Sequence, residues 1–335
     1  MGRTLRTVIT NFSSGELNPL LATRTDVASY FQGAKNCKNF ALLAEGGLMR
    51  RPGTSYLATL PAESRLIPFV FSDDEIAIIV LSNQRMDVYN INGTAIVSNT
   101  TSNCNWTTAQ LFELNFAQFG DTVFITHRDN ETRKIFRSSA TTFTVTAFAF
   151  DDDDSVTVSG VNKTTRPFFK YAPSSTSVSL SSHATGTGRT VTASASSFTS
   201  NQVGDYIEIN KKQGKITGFT SATEVTITII EDMVNTGPHF DWAEQSISTK
   251  RGFPQAVTFH SNRLWLGGLK SRPAGILASR ISEYFNFSPG SGEADEAIDL
   301  DIEIAVASLA ALQEISAAAK SKPARIHLEV DTGMS

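Results

Sequence analysis

The run Glu75-Ile76-Ala77-Ile78-Ile79-Val80-Leu81, then Arg85-Met86-Asp87-Val88-Tyr89, then Asn92-Gly93, decides the fold class. The first segment is a short continuous apolar run, which reads as a buried strand. The second alternates polar and apolar side chains, as a strand with one face in a core does. Asn-Gly is the strongest short hairpin signal because it accepts the positive φ angles of a tight turn. Together they predict antiparallel strands joined by short turns.

The same texture spreads outward. Asp121-Thr122-Val123-Phe124-Ile125-Thr126-His127 and Thr142-Phe143-Thr144-Val145-Thr146 alternate. Gly252–Phe259 and Arg263–Gly268 form a predicted strand pair with a tight turn at Ser261-Asn262, and Ile276–Arg280 is a third strand. A helix is expected around Thr107–Phe116, where Leu111, Leu114 and Asn115 have helical spacing. A short amphipathic piece carries Val27, Tyr30 and Phe31 on one face, with Asp26 as its cap. Gly46-Gly47 and Pro52-Gly53 are expected turns.

Composition divides the chain. Residues 1–60 are Gly- and Pro-punctuated and read as a docking segment. Residues 61–154 form the first part of a β body. Residues 155–235, dense in Ser and Thr, carry short strands such as Asp205–Ile209 and Glu224–Ile230. Their spacing suggests a small sandwich or barrel inserted into that body. The body resumes at 236–303, starting with Trp242. Residues 304–335 differ: Ala305–Lys320 is a helix by propensity, and Arg325–Val330 follows as a strand after Pro323. The fold class is all-β, with short helices near the N-terminus and one α/β-like unit at the C-terminal end.

The 335 residues carry 19% charged residues and a net charge of −4, which argues against binding nucleic acid by neutralising phosphates. Cys37 and Cys104 give neither a disulfide framework nor a zinc set. No apolar run is long enough for a transmembrane helix. The N-terminal residues lack the apolar core of a secretory signal, and Arg6 stands where myristoylation after Gly2 needs Ser or Thr.

Candidate sites are few. His127, His183, His239, His260 and His327 lack metal-ligand spacing and read as strand or loop residues. Asp151–Asp154 fails the EF-hand pattern at Val156 and reads as a solvated linker. Gly186-Thr187-Gly188 lacks the third Gly of a phosphate loop. The sequons at Asn11, Asn92, Asn99, Asn105 and Asn130 are of the kind a Thr-rich chain produces by chance. Glu293, Asp295, Glu296, Asp299, Asp301 and Glu303 read as an acidic exposed strand or loop, or as a source of a hydrolase carboxylate pair. Arg50-Arg51-Pro52-Gly53 has two readings: a polar turn before a strand, or a subunit or partner contact, since Arg is favoured in interfaces. No catalytic, cofactor-binding or metal residues are assigned.

Several motifs resemble one family. Phe12-Ser13-Ser14-Gly15-Glu16-Leu17-Asn18-Pro19, Arg24-Thr25-Asp26-Val27, Asn39-Phe40 and Gly46-Gly47-Leu48-Met49-Arg50-Arg51-Pro52-Gly53-Thr54 are similar to the N-terminus of tail nozzle proteins of short-tailed bacteriophages, also called tail tubular protein B or phage stabilisation-like proteins. Arg65–Phe69, Gln118–His127, Arg251–Pro254, Arg263–Gly268 and Tyr284–Ser288 extend the resemblance over about residues 10–300. It implies a propeller-like body, incomplete here, with an inserted β module. It further implies a structural, non-catalytic virion component without cofactor, made in the host cytoplasm and placed in the virion tail. Such subunits form a ring, a hexamer, that contacts other tail proteins such as the adaptor and through which DNA passes. The alternative function is a tail-associated β protein that binds or cleaves carbohydrate. The last thirty residues instead resemble an alanine racemase, with Val330-Asp331-Thr332-Gly333-Met334 like one of its barrel strands. The lysine motif that carries pyridoxal phosphate in that family has no counterpart, so a racemase-like fragment without catalytic residues is expected. A frameshift or chimeric junction near residue 304 accounts for the change.

Overall fold

A computed structural model describes residues 9–21, 23–288, 296–301, 304–306 and 326–328. The chain divides into two units, Met1–Ala58 and Thr59–Ser335. The first holds a parallel pair, β1 (Gly15–Glu16) with β2 (Gly33–Ala34), and a hairpin of β3 (Phe40–Leu42) and β4 (Leu48–Arg50).

The second unit is built on three four-stranded antiparallel meanders. The first sheet runs β5 (Arg65–Val70), β6 (Ile76–Ser82), β7 (Arg85–Asn90), β8 (Ala95–Thr100), in spatial as in chain order. The second runs β9 (Asn115–Phe119), β10 (Thr122–His127), β11 (Asn130–Ser139), β12 (Thr142–Ala147). A hairpin of β13 (Asp152–Val158) and β14 (Val161–Thr164) follows, and then a seven-stranded sheet. That sheet contains β15 (Phe168–Phe169), β16 (Val178–Leu180), β17 (Gly186–Ala193), β18 (Tyr206–Ile209), β19 (Lys212–Ser221), β20 (Glu224–Ile229) and β21 (Trp242–Gln245). The third meander is β22 (Ala256–His260), β23 (Arg263–Leu269), β24 (Arg272–Ala278), β25 (Ile298–Asp301). Last comes a parallel pair, β26 (Ile304–Val306) with β27 (Ile326–Leu328). The all-β expectation holds, with an inserted β module between the second and third meanders.

Alternation along β10 explains how the meanders stack. Val123 and Ile125 point into a core shared with the first sheet, which also takes Ile79, Met86, Trp106, Leu111 and Leu114. Phe124, on the opposite face, enters a second core with Leu264, Leu266 and Leu277 of the third sheet. The middle sheet is therefore buried on both faces, as a propeller blade is between its neighbours. Trp106 is fully buried, and its indole N–H donates to the Ser82 carbonyl at 2.8 Å. Glutamine carboxamides stitch the sheets together by imitating a strand. Gln118 donates to the Val70 carbonyl (2.7 Å) and accepts from the Val70 N–H (3.2 Å). Gln255 donates to the Glu113 carbonyl (2.6 Å) and accepts from the Arg128 N–H (3.1 Å).

The insertion is anchored by phenylalanines. Phe148 and Phe150 on the outgoing chain and Ile247 on the returning chain are buried in the third sheet's core with Phe287. Phe148 meets Phe150 edge-on at 5.0 Å, and Phe150 meets Phe287 at 5.6 Å. Both stems also bond to the second sheet: the Phe148 N–H donates to Thr132, and the Phe253 N–H to Arg128. The seven-stranded sheet, ordered β15-β21-β18-β19-β20-β17-β16, curls until Val178 bridges to His239, next to β21, although it does not close as a barrel. Its core holds Val191, Ile207, Ile216, Ile227 and Trp242.

Several local expectations need correction. Over 107–116 there is only a 3-10 turn, Thr108–Gln110, closed by a capping box between Thr107 and Gln110. Leu111 and Leu114 are drawn into the core between the first and second sheets, and Asn115 already begins β9. The piece around Val27 is a 3-10 helix, Ala28–Gln32, without a side-chain cap; Asp26 pairs with Arg24 at 2.7 Å instead. Asp151–Asp154 is no linker, because β13 starts at Asp152 and pairs Asp153 with Lys163. The sheet of the inserted module spans Phe168 to Gln245, later at both ends than composition drew it. Trp242 belongs to that module, where its strand pairs with β18. Pro52-Gly53 lies in a segment without a turn. The predicted helix over 305–320 falls mostly outside the described residues, as does the strand after Pro323 apart from β27.

Two outcomes follow. Phe148→Ala opens a cavity among aromatic rings and should cost about 3–5 kcal/mol, lowering the denaturation midpoint of body and insert together; separate transitions would show that the two are not coupled. Burial raises the Asp205 carboxyl to about 7, against the opposing charge of Arg166 and a bond from Ser248. The folded state thus keeps a proton that the unfolded chain releases near about 3.9. This group's contribution therefore declines as pH rises from about 4 to about 7. Asp205→Asn should flatten that part of the melting-temperature profile and raise stability at pH 8.

Candidate docking surface

Among its described residues the first unit has no buried apolar side chain. Its buried described residues are three glycines, Gly15, Gly33 and Gly46. Several of its large apolar side chains are exposed: Leu20 is 86% exposed and Phe31 62%, with Phe40, Leu42 and Met49 also exposed. The glycines mark where segments press together. A Cβ on Gly33 would overlap the Leu17 side chain, and Gly46 holds φ at +88° against Asn11. Backbone bonds complete the frame, with Phe12 N–H to Gly46 at 2.7 Å and Arg51 N–H to Asn39 at 2.9 Å.

The β3–β4 hairpin presents the predicted contact residues. Phe40 lies opposite Arg50 in the ladder, and Ala41 opposite Met49. Arg50, Arg51, Pro52 and Gly53 are all exposed. A Cβ on Gly53 would meet nothing within 4 Å. Neither arginine is in a salt bridge among the described residues, whereas Arg24 on the same unit is paired with Asp26. Phe40 and Leu42 share one face of the hairpin with Arg50, and Met49 lies on the other, so the hairpin sets an exposed arginine beside exposed apolar side chains.

A patch of opposite charge lies on the second unit, at the β5–β6 turn. Val70, Phe71 and Ile76 are exposed there, and β5 turns Leu66 outward as well. Asp73 and Asp74 are exposed between them without a salt bridge, while Glu75 is engaged by Arg137. Sequence reasoning missed this turn, because acidic residues in a hairpin loop are ordinary; the signal was the Phe beside them.

The other candidates fall into structural roles. His127 accepts from the Asp129 N–H at Nδ1 (3.2 Å), and its Nε2 faces Glu113 (3.0 Å). His239 is fixed between Asn210 and the Asn235 carbonyl. Gly186-Thr187-Gly188 opens β17 beside a register shift, so it is a bulged strand rather than a phosphate loop. Asp299 pairs with Arg272 across β24 and β25; Glu293 and Asp295 lie outside the described residues, as does Glu303. Burial pushes the Cys104 thiol up to about 12, which makes it unreactive. Among the described residues no His, Cys, Asp and Glu group could hold a metal ion, and no helix is long and apolar enough to cross a membrane.

Comparison with known proteins adds one finding. A model of the family described as alanine racemase, N-terminal domain, matches residues 268–335. No curated protein matches the chain. The match begins at the end of β23 and takes in β24 and β25, which are antiparallel. Among the described residues only β26 and β27 within it are parallel. The lysine among its described residues, Lys270, is exposed and pairs with Asp129 at 2.5 Å. These residues therefore offer no enclosed lysine for pyridoxal phosphate.

Because glycines hold the first unit together, Gly46→Ala should loosen it selectively. Adopting a positive φ costs an L-residue about 1–2 kcal/mol. Amide exchange should speed up across the β3–β4 hairpin while protection in β10 is unchanged; slowed exchange there would refute the glycine's role.

Proposed function

We propose that the chain is a structural subunit of a ring in the tail of a short-tailed bacteriophage. In this reading the first unit of each copy docks on the β5–β6 turn of the next. The observation that carries it is the first unit itself, where Leu20, Phe31, Phe40, Leu42 and Met49 are left exposed, together with Arg50 and Arg51, which are in no salt bridge among the described residues. Such a unit gains its burial from a partner. The exposed Asp73-Asp74 turn, set among Val70, Phe71 and Ile76, has the opposite charge and matching apolar character. Two different patches on one chain make a head-to-tail contact, and repeated head-to-tail contacts close into rings when the rotation permits.

The resemblance of residues 10–300 to tail nozzle proteins supports the same reading, as do three stacked meanders interrupted by an inserted module. The role is non-catalytic in this proposal. The ring contacts other tail proteins such as the adaptor and lets DNA pass, and a net charge of −4 disfavours retention of a polyanion.

Charge exchange tests the contact. Mass photometry should show wild-type oligomers that grow with concentration. Arg50→Glu/Arg51→Glu should reduce them to monomers, and so should Asp73→Lys/Asp74→Lys. Mixing the two variants pairs Glu with Lys at one contact and Arg with Asp at the next, so assembly should return. A wild-type protein that stays monomeric at every concentration, or variants that assemble normally, would overturn the proposal.

A further inference from the structure

Lys250, on the chain returning from the inserted module, carries a primary amine into the protein interior. Its side chain is 13% exposed. Burial lowers its pKa, which raises the share of neutral amine. Three oxygens surround Nζ: the Ser197 carbonyl, Oε1 of Gln202 at 3.1 Å and Oε2 of Glu244 at 3.0 Å. Gln202 ends the 3-10 turn Ser200–Gln202 and is buried. Glu244 lies in β21 and is buried too.

The same side chains also meet through the amide nitrogen. Nε2 of Gln202 donates to Oε2 of Glu244 at 2.9 Å. One carboxylate oxygen thus touches both the amine and the nitrogen that the amine would displace. Oε1 of Gln202 also accepts from the Thr199 N–H at 2.9 Å, a backbone donor placed to stabilise negative charge on that oxygen. Arg251 fixes the carboxylate: its Nε donates to Oε2 at 3.0 Å and its Nη2 to Oε1 at 2.5 Å. The guanidinium is itself seated 4.0 Å over the Tyr171 ring. A nucleophile, an acyl carbon, a proton carrier and an oxyanion donor are therefore gathered in one buried cluster.

We propose that Lys250 and Gln202 join spontaneously in a side-chain amide bond, with Glu244 as the catalytic residue. Oε2 of Glu244 removes a proton from Nζ, and the freed lone pair attacks Cδ of Gln202. Negative charge collects on Oε1 against the Thr199 N–H. Nζ then releases a second proton. Glu244 passes both in turn to Nε2, the Cδ–Nε2 bond breaks, and ammonium leaves. The product carries a new Nζ–Cδ bond and one positive charge fewer, and no oxidant or cofactor takes part. Contact between the reactants replaces a bimolecular encounter, and proton transfer by a positioned carboxylate lowers the barrier. The buried setting keeps water from competing for Cδ. The bond ties a turn of the module to its returning stem, and closing that loop covalently restricts the unfolded chain. This inference does not depend on ring assembly.

Intact-mass spectrometry of the full chain, held at neutral pH until its mass is constant, tests the bond. The expected mass is one ammonia below that of the unreacted chain. Trypsin should then yield a branched peptide joining residues 190–211 to residues 216–251, uncut after Lys250. The peptide map decides the site, because a succinimide at Asn92-Gly93 would also lose ammonia. Lys250→Arg keeps the charge but offers no amine, so it should retain the full mass and give no branched peptide. Glu244→Gln should slow the loss about a hundredfold or more. Near-UV circular dichroism matching wild type confirms that each variant is folded. A wild-type chain that keeps its full mass would overturn the proposal, as would an ammonia loss that maps to other residues or persists in Lys250→Arg.

Discussion

The phenylalanine cluster at the root of the insertion is the contact on which the second unit depends. An inserted module must leave and re-enter its host where the host's own core can absorb the stems. Here Phe148, Phe150 and Ile247 are stem residues and core residues of the third sheet at once. Phe124 reaches the same cluster from the second sheet, 6.1 Å from Phe148. The cluster thus ties together two meanders and the module. It draws on a chain rich in Phe, with 22 against 6 Tyr and 3 Trp. A ring buried on all sides has no use for a polar tip, and Phe alone among the aromatic residues carries none.

Apolar packing sets distance, but it does not fix the offset of one sheet against another. Glutamines supply that. Gln118, Gln213 and Gln255 each donate to and accept from the backbone of another segment, reproducing the pairing of a strand edge with a side chain. Gln245 does similar work inside the module, accepting from the Tyr206 N–H and donating to Asp205 and the Ile247 carbonyl. Beside it, buried Glu244 accepts from Gln202, Lys250 and Arg251. Arg251 stands 4.0 Å over the Tyr171 ring and offers its carbonyl to Ser271 of the body. Gln202, Gln213, Glu244 and Gln245 are buried, so this part of the join is specific as well as stable.

The strands were legible because period-two alternation and turn residues are local properties. Ser261-Asn262 turns with φ of 49° and 55°, as its short hairpin requires, and the Asn92-Gly93 loop carries the β7–β8 hairpin. The helix over 107–116 was misread because Leu111 and Leu114 have helical spacing but answer to two sheets at once. Trp242 was assigned to the body because its partner strand, β18, lies some thirty residues upstream, beyond any local pattern. The basic hairpin was legible as exposed charge. The exposure of its apolar side chains was not, since Phe40, Leu42 and Met49 look like ordinary strand residues until no core takes them.

The C-terminal region shows the limit of similarity as a guide to fold. The racemase match starts at Gly268, inside β23, so it takes in residues already committed to antiparallel ladders. Ile276 pairs with Gly267 on one side and Leu300 on the other, which fixes β24 as an interior strand of a meander. An interior strand cannot also serve a parallel barrel, since both of its edges are filled. The change to parallel pairing comes only at β26, whose partner lies nineteen residues further on, a separation long enough for a crossover connection. A parallel pair of three residues is too small to stand alone in water. Residues 272–278 and 298–301 therefore owe their conformation to the sheet begun by β22.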